Sequence, residues 1–262
     1  MKFIDKLEKS IKKNNSLVCV GLDSDVDRLP KGKSQFLFNK HIIEATHDKV
    51  CSYKLNIAFY EAMGLKGLKD LKSTTEFLKE KYPETPIIID AKRGDIGNTN
   101  KGYVQFIFTD LMADAVTVNP YMGSEAIGPF ISMADKGIIV LCRTSNPGSG
   151  EFQDLEVKGT PLYKIVAKNV AKNWNTNKNC LLVVGATYPR ELAEVRRIAG
   201  QDIFFLVPGI GAQGGDLRAT LKAGLNRRRT GLIINSSRGI IFAKNPREEA
   251  EKLRSQINLY RK

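Results

Sequence analysis

The sequence has few of the residues from which metal sites and disulfide frameworks are built. Its 262 residues include only four cysteines and two histidines. Cys19, Cys51, Cys142 and Cys180 lie in or beside apolar runs, none at CxxC spacing, and His41 and His47 fall in a polar helical segment. Neither a zinc site nor a disulfide framework is therefore expected. We expect four buried thiols in a reducing cytoplasm, and acid–base chemistry carried by Asp, Glu or Lys.

The sequence also lacks a long hydrophobic run. The longest apolar stretches, such as 137–142 and 180–185, have the length of a strand, whereas a span of the bilayer needs about 20 residues. The first ten residues carry charges at short intervals and contain no unbroken apolar core of a signal peptide. We therefore expect a soluble, cytoplasmic chain with no membrane partner.

Acidic residues are scarce relative to basic ones. The chain has 41 Lys and Arg against 28 Asp and Glu, a net charge of +13. Such a balance can indicate nucleic acid, an anionic membrane surface or an anionic substrate. The lysines are scattered through mixed-charge segments such as 76–82, and the one basic run of three is 227–229. This pattern favours a solvated surface with no nucleic-acid partner. An RNA-binding protein, which would lose affinity steeply with salt, is the alternative from another class.

Short apolar runs alternate with amphipathic segments along the chain. The predicted strands are 17–22, 50–55, 86–91, 115–119, 137–142, 180–185, 203–207 and 231–235, and predicted helices include 36–46, 58–82, 101–112, 124–134 and 162–174. Several of these strands contain unbroken β-branched runs, such as 87–89 and 138–140, which are typical of parallel strands that are buried on both faces. Eight strands that alternate with helices predict an α/β fold, a closed (β/α)8 barrel of the TIM type, as one domain over 1–262. An open doubly wound sheet is the competing architecture.

Reactive residues gather where the predicted strands end. They are Asp23, Lys54, Asp90, Lys92, Thr144, Ser145, Gln213 and Arg238. Active sites of barrel enzymes form at the carboxyl ends of the strands, from the loops that follow them. The sequence therefore predicts one catalytic site at that end of the barrel.

The densest segment of reactive residues is 90–99. In an extended strand, residues two apart point to the same face, so Asp90 and Lys92 are expected to project together, with Asp95 in the following turn. A lysine flanked by carboxylates is held as the ammonium, which suits proton donation to a carbanion better than Schiff-base chemistry. By spacing alone, an ion-pair network that ties down a loop explains the segment equally well.

Two segments near the end of the chain contain glycines. Residues 208–215 follow the seventh predicted strand, and 236–239 follow the eighth. Phosphate sites in barrels form from these two loops, so we expect Arg238 and Gln213 to bind a phosphate there. Ordinary turn glycines are the alternative interpretation. The Walker loop of nucleoside triphosphatases is absent from the sequence.

In these motifs the chain resembles the orotidine 5′-phosphate decarboxylase family. Residues 90–99 fit the family's DxKxxDIxxT pattern at every specified position, and the resemblance continues through 21–23, 53–54, 144–148, 208–213 and 237–239. The KRGDIG and TSNPG segments are similar to those of the longer bacterial branch. The DxKxxD half of the pattern is shared with other phosphosugar barrels.

The resemblance implies a homodimer that converts orotidine monophosphate to uridine monophosphate and carbon dioxide without a metal or cofactor. By position, Lys92 is the proton donor to C6, and Asp90 lies against the departing carboxylate. The remaining site residues implied in this way are Lys54 and Asp23 for the ribose, Ser145 for the pyrimidine, Gln213 and Arg238 for the phosphate, and Asp95, Ile96 and Thr99 for the partner subunit's site.

A related barrel enzyme is the nearest alternative. A metal-dependent decarboxylase or aldolase that acts on a sugar phosphate would share Asp90, Lys92 and Asp95. Its activity would be lost on chelation. The segment 144–148 favours the nucleotide substrate, and the two glycines within 144–150, Gly148 and Gly150, suggest a lid.

Overall fold

Eight parallel strands close into a barrel in a computed structural model, which describes residues 1–211 and 214–261. The strands are β1 (Val18–Gly21), β2 (Ser52–Asn56), β3 (Ile87–Arg93), β4 (Ala115–Val118), β5 (Gly137–Arg143), β6 (Cys180–Val184), β7 (Phe205–Val207) and β8 (Leu232–Ser236). Each strand pairs with its neighbours in sequence, and β1 also pairs with β8 through the register Val18↔Ile234. This last pairing closes the sheet. The predicted barrel is confirmed, and the open doubly wound sheet is wrong.

Helices connect the strands. In the described residues they are α1 (Phe3–Asn14), α2 (Gln35–Thr46), α3 (Ala58–Glu61), α4 (Gly64–Lys81), α5 (Gly97–Val104), α6 (Gly123–Ile131), α7 (Gly150–Gln153), α8 (Leu162–Asn169), α9 (Pro189–Ala199), α10 (Leu217–Gly224), α11 (Arg238–Ile241) and α12 (Pro246–Asn258). π-helical turns continue α5 over Gln105–Asp110 and α8 over Val170–Trp174. A small antiparallel hairpin, Glu156–Val157 with Thr160–Pro161, lies between α7 and α8.

Two predicted helices have different bounds in the structure. The segment 58–82 is interrupted, because Gly64 has a φ of 58°, a left-handed conformation that a helix cannot continue through. α4 then passes so close to α3 that a Cβ on Gly67 would overlap the carbonyl oxygen of Tyr60. The segment predicted as 101–112 begins earlier, at Gly97. Glycine and asparagine are weak helix formers, which is why the sequence pattern missed this first turn.

The barrel strands are buried on both faces. Every residue of β1, β4 and β6 is buried. Helices cover the outside of a parallel barrel and side chains fill its interior, so these strands read as unbroken apolar runs. Polar side chains at the carboxyl ends of the strands are exceptions to this apolar pattern, and several of them line the cleft at that end of the barrel.

α1 packs against the amino end of the barrel. Phe3 lies so close to Gly137, the first residue of β5, that a Cβ there would overlap its ring. Lys6 Nζ donates to Asp114 Oδ2 at 2.8 Å, and Lys79 Nζ donates to Asp114 Oδ1 at 2.7 Å. Burial lowers the pKa of Lys6 to about 8 in spite of the carboxylate. These contacts stabilise the end of the barrel opposite the predicted site.

The cysteines are unpaired and buried, as predicted. Burial raises the pKa of Cys19, Cys142 and Cys180 to about 12, and it raises that of Cys51 as well. His47 stacks on Tyr82 with the ring centroids 4.6 Å apart. Among the residues described, no helix combines the length and the apolar character needed to cross a bilayer.

Candidate active site

A cleft of about 510 Å³ opens at the carboxyl ends of the barrel strands. Predicted functional side chains that line it are Asp23, Lys54, Asp90, Lys92, Thr144, Ser145 and Arg238. They come from β1, β2, β3, β5 and β8 or the loops that follow, so the closure of the barrel brings together residues far apart in sequence. The predicted phosphate ligand Gln213 lies outside the described residues.

Four of these side chains form a row of alternating charges. Lys54 Nζ donates to Asp23 Oδ1 at 3.3 Å and to Asp90 Oδ2 at 3.2 Å. Lys92 Nζ donates to the other oxygen of Asp90, Oδ1, at 2.7 Å. The central carboxylate, Asp90, is thus bound by an ammonium on each side.

Burial and charge act in opposite directions on the pKa values of this row. Burial would lower the pKa of Lys54, whose side chain is 4% exposed, but the carboxylates of Asp23 and Asp90 outweigh it and raise that pKa above its usual range. Burial would likewise raise the pKa of Asp90, yet Lys54 and Lys92 hold it well below its usual range. Both groups are therefore charged at neutral pH.

Lys92 lies in an irregular part of β3. The pairing register with β4 shifts between Ile89 and Arg93, and Lys92 has a φ of 48°. Its backbone N–H donates to Thr117 Oγ1 at 2.9 Å, and the Thr117 hydroxyl donates to Asp90 Oδ1 at 2.8 Å. Asp90 and Lys92 do meet, but the alternation of an extended strand is not the cause. A bulge, which commonly re-aims a side chain next to an active site, brings the lysine to the carboxylate.

The floor of the cleft is polar on one side and apolar on the other. The polar side has Lys54, Asp90, Thr117 and Asn235, from β2, β3, β4 and β8, and the apolar side has Leu141, Val183 and Leu206, from β5, β6 and β7. Asn235 is 8% exposed, and within the described residues its Oδ1 has no hydrogen-bond partner. Apolar walls with a few placed polar groups are typical of small-molecule sites.

The segment after β5 carries Ser145 into the cleft. A Cβ on Gly185, just beyond β6, would lie 2.8 Å from both Cα and Cβ of Ser145. Thr187 Oγ1 donates to the carbonyl oxygen of Ser145 at 3.4 Å. The absence of a side chain at residue 185 therefore allows this segment to reach its position.

Glycines open the backbone after β7, close to the turn that follows β8. Gly209 and Gly211 have φ values of 100° and 82°, and both line the cleft beside Arg238. Ser237 Oγ is buried, with no partner in the described ranges 1–211 and 214–261. A Cβ on Gly21 would lie 2.8 Å from Cβ of Ser237, so β1 approaches this turn closely. A guanidinium and a hydroxyl beside side-chain-free backbone can bind a phosphate.

The sequence profile of the orotidine 5′-phosphate decarboxylase / HUMPS family matches residues 16–253. The chain belongs to this family. The matched residues include the whole charged row and all eight barrel strands.

Relatives of known name match the whole chain. It is 48% identical to an orotidine 5′-phosphate decarboxylase of Cellvibrio japonicus over 275 aligned residues, covering 100% of both chains, and 48% identical to one of Dechloromonas aromatica over 273 residues, again covering 100% of both. Among solved structures, the OMP decarboxylase of Leishmania donovani superposes with a TM-score of 0.90 at 41% identity, covering 100% of this chain and 99% of that one. The UMP synthase of L. donovani gives 0.92 at 43%, and the chain spans 57% of its length.

Three residues of the family pattern do not line the cleft of their own chain. Asp95, Ile96 and Thr99 lie in the loop after β3 and at the start of α5. The Asp95 carboxylate accepts from the N–H of Ile96 at 2.7 Å, and the Ile96 side chain is 58% exposed. The buried Asn100 holds this loop by donating to the carbonyl oxygen of Asp95. The expectation that Asp95 flanks Lys92 does not hold within one chain.

The structure also adds residues that the sequence patterns did not single out. Asn56, Thr117, Gln153 and Asn235 line the cleft. Thr117 and Asn235 lie inside apolar strand runs. The one signal for them in the sequence is a polar residue near the carboxyl end of such a run. Nothing in the sequence indicates that Gln153 lines the cleft, because its position depends on α7 folding back over the end of β5.

Metal ligands do not cluster in the part of the chain that the structure describes: it contains no group of three or more His, Cys, Asp and Glu side chains that could hold an ion. In the cleft, Asp23 and Asp90 are instead bridged by Lys54.

Proposed function

We propose that this chain converts orotidine 5′-phosphate to uridine 5′-phosphate and carbon dioxide, the last step of de novo UMP synthesis. The observation that carries the proposal is the charged row, in which the Lys92 ammonium lies 2.7 Å from the Asp90 carboxylate in a cleft of about 510 Å³. The relatives that bear the name of this enzyme support the choice of substrate.

The chemistry requires a fixed positive charge. When the bond between C6 and the carboxylate breaks, both electrons remain on C6, where no adjacent group can accept them. The Lys92 ammonium stabilises this charge and then transfers a proton to C6, and the neutral amine regains a proton from solvent. Charges that are held in place beforehand need no reorganisation during the reaction. Asp90 holds Lys92 there and lies against the departing carboxylate.

The remaining side chains bind the rest of the nucleotide. Asp23 and Lys54 contact the ribose hydroxyls, and Ser145 binds the pyrimidine edge. Arg238 holds the phosphate together with Gln213. Phosphate binding far from C6 contributes to rate when its binding energy closes loops over the substrate. The reaction uses neither a metal nor an organic cofactor.

The active enzyme is a homodimer, in which Asp95, Ile96 and Thr99 complete the partner subunit's site. Ile96 is 58% exposed although it is apolar, and it lies outside the cleft of its own chain. Further exposed apolar residues follow the strands on either side of β3: Leu65, near the start of α4, is 88% exposed, and Tyr121, just after β4, is 83% exposed. Exposed apolar groups in three consecutive βα connections favour a protein interface at this rim.

Mixing two inactive variants tests the shared site. We expect Lys92→Ala and Asp95→Ala each to abolish turnover, whereas a mixed dimer contains one site with both residues intact. Co-refolded equal mixtures should regain about a quarter of wild-type activity, since half of the dimers are mixed and half of their sites are whole. No recovery in dimers shown to exchange subunits would place Asp95 in its own chain's site or outside any site.

The reaction itself is tested by following the absorbance of orotidine monophosphate with purified protein, with and without EDTA. We expect turnover that EDTA leaves unchanged. Turnover only with an added divalent metal on a sugar phosphate would instead favour the related barrel activity. Absence of both would contradict an enzymatic role for the cleft.

We also propose a cytoplasmic location, because all four thiols are unpaired. Cell fractionation with a tagged chain checks it, and recovery from an exported fraction would contradict it.

A further inference from the structure

A side-chain amide outside the family motifs binds the segment that carries Ser145. Gln153, the last residue of α7, lines the cleft. Its Oε1 accepts from the backbone N–H of Thr144 at 2.9 Å, and its Nε2 donates to Thr144 Oγ1 at 2.9 Å. Thr144 Oγ1 in turn donates to Asn146 Oδ1 at 2.7 Å. One amide therefore restrains the residues on both sides of Ser145.

The helix that carries Gln153, α7, is itself held by side-chain contacts. The next residue, Asp154, accepts from Nη2 of Arg143 at 3.0 Å, and the Arg143 side chain is 3% exposed. The Arg143 guanidinium lies 4.0 Å from the ring centroid of Tyr188. Ser149 Oγ, just before α7, donates to the Tyr188 hydroxyl at 3.3 Å. α7 is thus tied to the ends of β5 and β6, so that the amide of Gln153 is offered to Thr144 from a fixed place.

We propose that Gln153 is a positioning residue for recognition of the base: it holds Thr144 and Asn146 so that Ser145 meets the pyrimidine edge. The inference rests on the proposed function, since the role of Ser145 comes from it. Gln153 acts through Thr144 and not on the substrate. Supporting groups that lock a binding residue in place are a common requirement of precise sites.

The first test is Gln153→Leu, which keeps much of the side-chain volume and removes both hydrogen bonds. We expect KM for orotidine monophosphate to rise about tenfold and kcat to change by less than about threefold, because two hydrogen bonds that position the binding loop are lost. Inhibition by UMP should weaken in parallel. Inhibition by ribose 5-phosphate, which has no base, should stay unchanged. Equal weakening of both inhibitors would overturn the inference.

A double-mutant cycle separates positioning from direct contact. Thr144→Val removes the hydroxyl that links Gln153 to Asn146. If Gln153 acts through Thr144, the double variant should be at most about twofold worse in KM than the worse single variant, because residues of one network are not additive. Effects that multiply would show that Gln153 acts on the substrate itself, contrary to the inference.

The matched control is Glu151→Leu, an exposed position on the same short helix. It should leave KM unchanged. If Gln153→Leu does not fold, Thr144→Val alone measures the same link from the other side, and an unchanged KM there overturns the inference. The two proposals fail separately. A wild-type chain without decarboxylase activity contradicts the function, whereas an active wild type with an unaltered Gln153→Leu variant contradicts only the role of Gln153.

Discussion

Lys92 reaches Asp90 from a left-handed backbone conformation, with a φ of 48° and only 2.7 Å between Nζ and Oδ1. Such conformations cost about 1–3 kcal/mol in a residue with a side chain and persist where surrounding contacts impose them. Here Thr117 imposes the conformation of Lys92: its Oγ1 accepts from the Lys92 backbone N–H, and its hydroxyl donates to Asp90 Oδ1. The central ion pair is therefore held by the neighbouring strand, and substitutions on either side of it have definite consequences.

Replacing Lys92 by alanine should remove the reaction and leave binding. We expect kcat to fall at least about 1000-fold, because both the electrostatic stabilisation and the proton donor are lost. UMP affinity, measured by calorimetry, should change by less than about tenfold. Lys168→Ala is the control, an exposed lysine outside the cleft. Retained turnover in Lys92→Ala would contradict the assigned proton donor.

Replacing Thr117 by valine should weaken catalysis although Thr117 donates no proton to the substrate. The variant loses the acceptor for the Lys92 N–H and the donor to Asp90. We expect kcat to fall about 10- to 100-fold, on the scale of two lost hydrogen bonds, one of them to a charged group. Thr117→Ser keeps the hydroxyl and should recover most of the activity. A serine variant as slow as the valine variant would show that packing, not the hydroxyl, matters here.

A methyl group at Gly185 should displace the Ser145 segment. The added Cβ would lie 2.8 Å from Ser145 Cα, too close for any real contact. We expect Gly185→Ala to raise KM for the nucleotide about tenfold or more. The comparison is Gly128→Ala in α6, where an added Cβ meets nothing within 4 Å. That variant should keep wild-type kinetics. Equal kinetics in both variants would argue against the close approach.

The depressed pKa of Asp90 should be visible in stability at acid pH. In the unfolded chain this carboxyl titrates near pH 4. In the folded chain it stays ionised to lower pH because Lys54 and Lys92 outweigh its burial. The unfolded chain therefore takes up a proton first, and the contribution of Asp90 to stability, complete above pH 4, is lost as the pH falls.

Comparison with Asp90→Asn isolates this contribution. The difference in free energy of unfolding between wild type and variant should be constant from about pH 5 to 8 and fall below about pH 4, by up to about 1.4 kcal/mol per pH unit. Urea denaturation at stepped pH measures it. A difference that stays constant down to about pH 3 would contradict the depressed pKa.

Arg196 should contribute to stability without affecting the reaction. It is 5% exposed and donates to the carbonyl oxygens of Gly200, Ile203, Gly224 and Gly231, and burial lowers its pKa to about 10. Arg196→Met leaves these carbonyls without their donor, so we expect a loss of about 3 kcal/mol or more in free energy of unfolding. Arg196→Lys should recover only part of it, since an ammonium lacks the planar fork. KM and kcat of the folded variants should match wild type, and a change in either would contradict a purely structural role.

Much of the fold and of the site can be predicted from local pattern. The short apolar runs predicted all eight barrel strands within a few residues of their bounds, because a parallel strand that is buried on both faces consists mainly of apolar side chains. The ends of those runs marked Asp23, Lys54, Asp90 and Lys92, which line one cleft. Where helix propensity is weak, as from Gly97 to Asn100, the pattern missed a helical turn that the structure forms.

Other features could not be predicted, because they depend on strands and loops that are distant in sequence. Thr117 matters only because β4 lies beside the bulge of β3, and Gln153 only because α7 folds back onto Thr144. Spacing predicts Asp95 beside Lys92, yet within one chain Asp95 does not line the cleft. Spacing along a chain predicts which residues share a face. It does not reveal a shift in the register of two paired strands or a segment that folds back onto an earlier residue.

Short-range order in the sequence is enough to predict the alternation of strands and helices, the family and the four charged residues. How the charges pair, which oxygen of Asp90 contacts which lysine, and which neighbours hold them depend on the tertiary structure. The reason is physical. Closing the barrel brings β1, β2 and β3 side by side and removes their side chains from water, and only then do burial and a charge 3 Å away set the protonation of Lys54 and Asp90.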